Sequence, residues 1–572
     1  MNDKPSASPT TPTIPQTPRP QTFGFLHWSG ALLVTGLVLL LMIVTEPKLS
    51  IVWDEGFTLG REARMRAWFQ ALRDPETFAR TWKAPTLELV QSDSVPAPRP
   101  DQIDTRAELL STDVLAWFWP FAREEPHGHP PFYAIVGMIG DVITPHWEVL
   151  PRARLGPMLL FSFTAGAIWA FSVRRWGIGA AMAASIAWTV QPNLFANGHY
   201  ATVDATLTSL WVLAMLCFAQ AVEPRANAVL VRPRWLWVVF FGILAGWAAD
   251  TKLTGWFLSL PCLVWALWTR DRRGLWTLGV GGLVALLTLY AFNPCWWNHP
   301  IEGAYRFLVS NLTRAKTIPI PVLFLGQRYL TPRESLPWYN TLVWTVMVTP
   351  VGILLLSLLG VRRFFRSSAT RSIEGLILLH LGFLLALRAL PHTPGHDGVR
   401  QFLPAFGVLA LVAGVGASLL IGWSKRWGGV LVALAMAEGI VGLALSMPVP
   451  LSYFSPIVGG LPGAAKLGME PTYFWDGLTQ DALDWLNENT PEGRRVQFST
   501  FPTSWFYLNQ SGRLKPSVYP FSSLPPAWYV LQNRPGAFTE LDQEYLATVE
   551  PAYVVARSGV PLVWIFPARV SD

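Results

Sequence analysis

The chain has 572 residues, of which 51% are hydrophobic and only 14% are charged. This composition is too apolar for a soluble protein of this length and indicates a polytopic membrane protein. The net charge of +7 could suit nucleic acid, but Lys and Arg occur in short clusters between apolar runs, where they set membrane orientation, so a nucleic-acid partner is excluded.

The N-terminal residues 1–24 are rich in Pro, Thr and Ser, which predicts a disordered cytoplasmic tail. The first apolar run, residues 26–45, is long enough to span a membrane. Residues 46–130 are more polar, and we expect them to form a large first external loop. Within it, the amphipathic stretch 61–72 favours a helix that lies along the membrane surface.

Further apolar runs recur up to residue 447. They cover 131–149, 155–173, 178–196, 205–223, 235–250, 253–269, 274–292, 340–360, 373–390, 402–422 and 428–447. With the first run, they make about twelve candidate membrane spans by the usual length criterion. A second long external loop is expected over 293–339.

Basic clusters between the runs predict which connections face the cytoplasm. The clustered residues are Arg225, Arg232, Arg234, Arg270, Arg272, Arg273, Arg362, Arg363, Arg366, Arg371, Lys425 and Arg426. If these clusters are cytoplasmic, Asp54 and Asp204 lie on the same outer face only under one of two conditions. Either one segment between 131 and 173 does not cross the membrane, or this region contains two shorter crossings. Arg174 and Arg175 favour the first option. We predict about 11 to 13 crossings, with the C-terminus outside.

Residues 448–572 differ in character from the apolar part. Strand-like stretches at 495–500, 527–532, 552–556 and 560–566 accompany a helix-like stretch at 479–489. They predict a small extracytoplasmic α/β domain. The expected fold class is therefore an all-α polytopic membrane protein, with its membrane domain over 25–447, that carries this α/β domain at its C-terminus.

Several short motifs on the outer face resemble those of a known family. They are Trp53-Asp54-Glu55-Gly56, Gly128-His129-Pro130-Pro131-Phe132-Tyr133, Arg152-Ala153-Arg154-Leu155-Gly156-Pro157, Gly198-His199-Tyr200-Ala201-Thr202-Val203-Asp204, Thr251-Lys252-Leu253-Thr254-Gly255 and His396-Asp397-Gly398-Val399-Arg400-Gln401. In this order, the chain resembles the GT-C superfamily of polyprenyl-phosphate-sugar-dependent glycosyltransferases, especially its protein O-mannosyltransferase and lipid A aminoarabinose transferase branch. The resemblance implies transfer of a hexosyl or pentosyl group from a lipid phosphate to an acceptor hydroxyl, with inversion, outside the membrane.

That reaction needs a base, because a hydroxyl is a poor nucleophile at neutral pH. The resemblance places this role on Asp54, with Glu55 as the fallback. Adjacent residues of a helix point about 100° apart, so both acids are not expected to reach one proton. Asp204 would orient the acceptor or hold a metal. For Asp54 and Asp204 alike, the structural alternative is an N-cap at the start of a helix.

The leaving polyprenyl phosphate is an anion and needs cationic neighbours. The cations predicted to bind the donor phosphate are Arg400, Lys252, Arg154, Lys316 and Arg314. Contact with ordinary anionic phospholipid is the alternative for any one of them. The residues predicted to line the substrate cavity are His129, His199, Tyr200 and Asp397.

The resemblance leaves metal use open, since relatives differ in this respect. A divalent ion, if used, would draw on His127, His129 and Glu55, because imidazole and carboxylate suit several such ions. No other cofactor is expected, and the donor is a polyprenyl-phosphate-linked sugar. We expect a bacterial cytoplasmic membrane, surrounding lipid as a partner, and an acceptor that is a protein, a lipid or a glycan.

Two other functions fit a membrane protein of this kind. A transporter or flippase for a lipid-linked sugar would carry ionisable groups along a path through the bilayer and would show repeat symmetry. A non-catalytic assembly subunit would need no intact acids. The ionisable residues gather at one face and no internal repeat is evident, which favours transfer over transport.

Overall fold

The computed structural model describes residues 25–83, 96–121, 128–223, 233–316, 319–366, 373–515, 518 and 523–569. The predicted tail over 1–24 and His127 lie outside the described residues. The first long helix is α1 (Phe25–Thr45). In the first loop follow α2 (Trp53–Arg73), α3 (Pro75–Thr81), α4 (Arg106–Leu109) and α5 (Thr112–Phe118).

The run predicted over 131–149 forms a pair of short helices, α6 (Phe132–Gly137) and α7 (Ile139–Ile143). At about 1.5 Å per residue, the pair is roughly 18 Å long, whereas a bilayer core is about 30 Å thick. The expected span is therefore not a membrane-length helix.

The remaining apolar runs form the helical bundle. Its helices are α8 (Val149–Trp176), α9 (Ile178–Val190), α10 (Pro192–His199), α11 (Val203–Val222), α12 (Trp235–Ala249), α13 (Leu253–Trp256), α14 (Ser259–Thr269), α15 (Arg272–Phe292), α17 (Asn340–Val348), α18 (Val351–Arg366), α19 (Ile373–Ala389), α20 (Pro404–Trp423) and α21 (Lys425–Ser446). Within the described ranges, six helices are long and apolar enough to cross a membrane, namely α1, α8, α11, α15, α20 and α21.

Small residues let the helices of this bundle approach closely. A Cβ added at Gly416 of α20 would lie 1.8 Å from the backbone oxygen of Leu356 in α18. Only glycine fits there, as is common where helices pack inside membranes. Large side chains such as Trp188 and Trp211 fill the space between the helices and are fully buried.

Charged residues mark one end of the bundle. Glu223, just after α11, binds Arg174 and Arg175 at the end of α8 and Arg234 at the start of α12. The sequence predicts that these three arginines share one side of the membrane. In the structure, all three arginines contact Glu223 at the end of the bundle where α8 ends and α12 begins.

The 293–339 loop holds α16 (Pro300–Leu312) and a hairpin of β1 (Ile320–Phe324) and β2 (Gln327–Thr331), which the sequence analysis does not predict. The hairpin packs on the chain after the bundle: the Gly326 N–H donates to the Gly468 oxygen at 3.0 Å. The Leu323 N–H donates to Glu470 at 3.3 Å. The loop is therefore attached to the C-terminal domain.

The C-terminal domain contains α22 (Gly460–Lys466), α23 (Gln480–Asn489), α24 (Trp505–Gln510) and α25 (Glu540–Thr548). Its strands are β3 (Arg495–Phe498), β4 (Pro526–Gln532), β5 (Tyr553–Arg557) and β6 (Val560–Pro567), in the order β3-β4-β6-β5. Only β3 and β4 are parallel. The small sheet confirms the predicted strands, and α23 matches the predicted helix.

Candidate active site

A cavity of about 360 Å³ lies between the bundle, the first loop, the 293–339 loop and the C-terminal domain. Its lining residues are Trp53, Asp54, Phe57, Thr58, Arg61, Gly128, His129, Tyr133, Val203, Arg314, Ile320, Pro321, His396, Asp397, Arg400, Trp475, Thr500, Arg534 and Ala537. Four guanidinium groups and two carboxyl groups are among them. The cavity therefore has a cationic balance and suits an anionic ligand.

Asp54 enters this cavity from the first turn of α2. Its side chain is 26% exposed, and its Oδ2 accepts a hydrogen bond from Nη1 of Arg400. The helix begins at Trp53 with Val52 as its N-cap, so Asp54 does not occupy the N-cap position. An accessible carboxylate beside a cation is an arrangement in which a base can work on a bound hydroxyl.

Glu55 occupies a different environment, although it is the next residue. It is fully buried, and its Oε2 accepts from the Val52 N–H at 3.2 Å, closing the start of α2. Its other oxygen accepts from the Ala201 N–H at 3.1 Å. The roughly 100° between neighbouring helix positions separates the two acids, as expected. Glu55, the predicted fallback base, is thus held inside the protein and does not line the cavity.

Arg154 is the partner of Glu55. Its guanidinium donates to both Glu55 oxygens at 2.8 and 2.7 Å, to Glu46 at 3.1 Å, and to the backbone oxygens of Leu49 and Ser50. The side chain has no exposed surface. The sequence motif predicts that Arg154 binds the donor phosphate. In the structure, Arg154 instead joins α8 to the connection between α1 and α2. It has this many partners because a charge that is buried without partners is costly.

Asp204 and Lys252 form a second buried pair next to the cavity. The Lys252 Nζ donates to Oδ1 of Asp204 at 2.6 Å and to Oε1 of Gln401 at 3.0 Å. Arg400 approaches the other oxygen of Asp204 at 3.4 Å. Burial lowers the pKa of Lys252 to about 8, against the opposing effect of Asp204. α11 begins at Val203 after an N-cap at Thr202, so Asp204 is not a cap residue either.

Asp397 is bound from two sides. Its Oδ2 accepts from Arg400, and its Oδ1 lies 2.9 Å from Nη1 of Arg534. Burial alone would raise the pKa of Asp397, but Arg400 and Arg534 hold it well below its usual range. The carboxylate therefore stays ionised. Asp397 and Gly398 both have positive φ, at 59° and 62°, and a Cβ on Gly398 would lie 2.6 Å from the ring of Tyr473.

The other predicted cavity residues are distributed differently. His129 lines the cavity, and its pKa is lowered by burial and by the nearby cations, so the ring is neutral. His199 is fully buried, with its ring nitrogens 2.8 and 3.1 Å from the backbone oxygens of Phe195 and Met42. Tyr200 is buried with its ring 5.3 Å from the Arg154 guanidinium. Both contribute to packing below the site.

The two predicted cations of the second external loop differ in whether they line the cavity. Arg314 lines the cavity, where Asp54 and Asp397 are among its charged neighbours. Lys316, two residues on, is exposed in the same turn. In the described part of the chain it is not among the residues that line the cavity. The predicted phosphate ligands that reach the cavity wall are thus Arg314 and Arg400.

Of the residues predicted to hold a divalent metal, only His129 and Glu55 lie in the described part of the chain. Glu55 is already bound by Arg154, and His129 lines the cavity, which Glu55 does not. Over the described ranges, no group of three or more His, Cys, Asp or Glu side chains is placed to hold a metal ion.

The lining residues that the sequence does not predict include Arg61, Trp475 and Arg534. Arg61 lies in the amphipathic stretch that was expected at the membrane surface, and its guanidinium donates to the Tyr133 hydroxyl at 2.8 Å. Trp475 and Arg534 belong to the part of the chain to which no function was assigned. A pattern of isolated Trp and Arg residues carries no signal that would have identified them.

The model of a family described as dolichyl-phosphate-mannose-protein mannosyltransferase matches residues 129–297. The crystal structure of ArnT from Cupriavidus metallidurans bound to undecaprenyl phosphate matches with a TM-score of 0.50 and 18% identity, covering 95% of this chain and 98% of that chain. The chain has the GT-C fold. Over residues 129–297 the chain is similar in sequence to that mannosyltransferase family, and over almost its whole length it is similar in fold to ArnT.

Two further structures are similar to this GT-C chain. ArnT from Cupriavidus metallidurans in the apo state has a TM-score of 0.46 at 16% identity, with 93% of this chain and 97% of that chain covered. The oligosaccharyltransferase AglB from Archaeoglobus fulgidus, in complex with an inhibitory peptide and a dolichol-phosphate, has a TM-score of 0.42 at 13% identity, with 89% and 69% covered. No curated protein sequence matches the chain significantly.

Proposed function

We propose that this protein is an integral-membrane inverting glycosyltransferase that moves a sugar from a polyprenyl phosphate to an acceptor hydroxyl on the extracytoplasmic side. The observation that carries the proposal is the shared cavity of Asp54 and the guanidinium groups of Arg314 and Arg400. It combines a carboxylate that can accept a proton with cations that can hold a phosphate.

The chemistry follows from these positions. The acceptor oxygen attacks the anomeric carbon, Asp54 accepts the hydroxyl proton, and the bond between the sugar and the phosphate oxygen breaks. The bonding electrons remain on the phosphate, which gains a negative charge. Arg400 and Arg314 stabilise that charge, and because they are held in place before the reaction, little reorganisation is needed.

The proposal that the site lies on the extracytoplasmic side rests on the positions of the basic residues. Leaving out the 131–149 run from the twelve predicted runs gives about eleven crossings. Arg174, Arg175 and Arg234 then lie in the cytoplasm, as the positive-inside trend favours. Asp54 and Arg400 lie at the opposite, extracytoplasmic face, together with the C-terminal domain.

The substrate class is supported by the match to ArnT, which was crystallised with undecaprenyl phosphate. The acceptor is a protein, a lipid or a glycan. To test the proposal, the purified full-length protein is incubated with a panel of radiolabelled undecaprenyl-phosphate sugars and membrane extract. We expect one donor to be consumed, with its label recovered on an acceptor. Failure to consume any donor, while undecaprenyl phosphate also fails to bind, would refute it.

A further inference from the structure

Arg534 reaches the cavity from the C-terminal domain, just after β4. Its side chain is only 3% exposed, and it lines the same cavity as Asp54. The backbone is held there by a hydrogen bond from the Arg534 N–H to the Gln532 oxygen at 2.8 Å. A residue of the domain outside the helical bundle is thus built into the site.

The contacts of Arg534 lead to the cation next to the proposed base. Nη1 of Arg534 lies 2.9 Å from Oδ1 of Asp397, and its Nε lies 3.8 Å from Glu470. The second oxygen of Asp397 accepts from Arg400, which in turn donates to Asp54. Because both of its oxygens are engaged by charged donors, the Asp397 carboxylate has one orientation. That orientation also determines where Arg400 points.

Two aromatic residues pack against the guanidinium groups of Arg400 and Arg534. The Phe474 ring lies 4.3 Å from the Arg400 guanidinium carbon, and the Trp475 ring lies 4.9 Å from that of Arg534. Trp475 has a φ of +60°, a left-handed conformation that is unfavourable for a bulky residue. Such strain is retained where surrounding structure holds a residue in place, commonly at functional sites. The Trp53 N–H donates to the Phe474 oxygen at 3.2 Å, which ties this segment to the start of α2.

We propose that Arg534 is a positioning residue, which orients Arg400 toward the donor phosphate through Asp397. The C-terminal domain is then a component of the phosphate site. This inference rests on the proposed function, since it assigns a partner to the phosphate of that reaction. A guanidinium held in a fixed orientation stabilises a phosphate better than one that must reorganise when the anion binds.

Binding of the lipid product provides the test, because a partly unfolded sample changes the number of sites and not the dissociation constant. The probe is undecaprenyl phosphate, with neutral undecaprenol as the comparison, both measured on the purified full-length chain. Arg534→Met should weaken undecaprenyl phosphate binding about tenfold, a typical coupling between contacting residues, and leave undecaprenol binding unchanged. Arg494→Met, an exposed position of the same domain, is the matched control and should change neither.

Arg534→Lys separates position from charge. Lysine keeps the positive charge but lacks the planar fork that bridges Asp397, so we expect at least a threefold loss of undecaprenyl phosphate affinity. Affinity equal to wild type in this variant would overturn the inference even if Arg534→Met did not fold. Equal affinities of wild type, Arg534→Met and Arg494→Met would also overturn it. If the wild-type protein itself bound undecaprenyl phosphate no better than undecaprenol, the proposed function would fail instead.

Discussion

Neighbouring acids in α2 should respond in opposite ways to the same conservative change. Asp54→Asn removes the proposed base from the cavity, whereas Glu55→Gln removes a charge from a fully buried ion pair. Both substitutions keep the size of the side chain. We expect the first to abolish turnover in a folded protein and the second to lower stability while the folded molecules still turn over.

The magnitudes follow from the two environments. A positioned general base contributes roughly 10²–10⁴-fold to a rate, so Asp54→Asn should lose about that much turnover. Its effect on unfolding should stay within about 1 kcal/mol, because Asp54 is partly exposed and Arg400 keeps Asp397 as a partner. Removing one partner of a buried pair costs about 3–5 kcal/mol. Glu55→Gln should lie near 3, since Glu46 remains 3.1 Å from Arg154.

Two measurements on detergent-purified variants check this prediction. Transfer of label from an undecaprenyl-phosphate sugar reports turnover, and thermal unfolding followed by tryptophan fluorescence reports stability. Turnover is divided by the amount of folded protein. Near-full turnover of Asp54→Asn would contradict the assignment of the base. An unchanged unfolding temperature of Glu55→Gln, together with lost turnover, would show that the catalytic and structural roles are reversed.

Two further predictions concern topology and pH. A reporter fused after Asp572 should be extracytoplasmic, because the proposed topology has an odd number of crossings between this residue and a cytoplasmic N-terminus. A cytoplasmic readout would overturn the side of the membrane proposed for Asp204. Burial lowers the pKa of Lys252 from 10.5 to about 8. Between these two pH values the unfolded chain binds more protons than the folded chain, so the contribution of Lys252 to stability rises with pH. The unfolding temperature of wild type relative to Lys252→Met should therefore rise between pH 7.5 and 9.5, and a constant difference would contradict the assignment.

Local pattern was enough for much of the fold. The strands of the C-terminal sheet were expected within about two residues of their positions, because alternating apolar residues and flanking turns encode them locally. The six long helices of the bundle follow from apolar length in the same way. The hairpin of β1 and β2 was missed, since its stability depends on Glu470 and Gly468, which are distant in sequence.

The candidate site was predicted in outline. Alternation of crossings and basic clusters indicated that Asp54, Asp204, Lys252 and Arg400 share one face, and the structure brings all four into contact. The partner of each charge was not predictable. Arg154 resembles a phosphate ligand in sequence, yet it binds Glu55, which is 99 positions away.

The sequence by itself determined that this is a membrane protein, where its apolar helices lie, and which ionisable residues gather at one end. These properties depend on local composition and on the order of charges along the chain. Only the tertiary structure decided that Asp54 faces the cavity while Glu55 is sealed against Arg154, and that Arg534 joins the site. The physical reason is that buried charges must find partners, and the available partners depend on how distant segments pack.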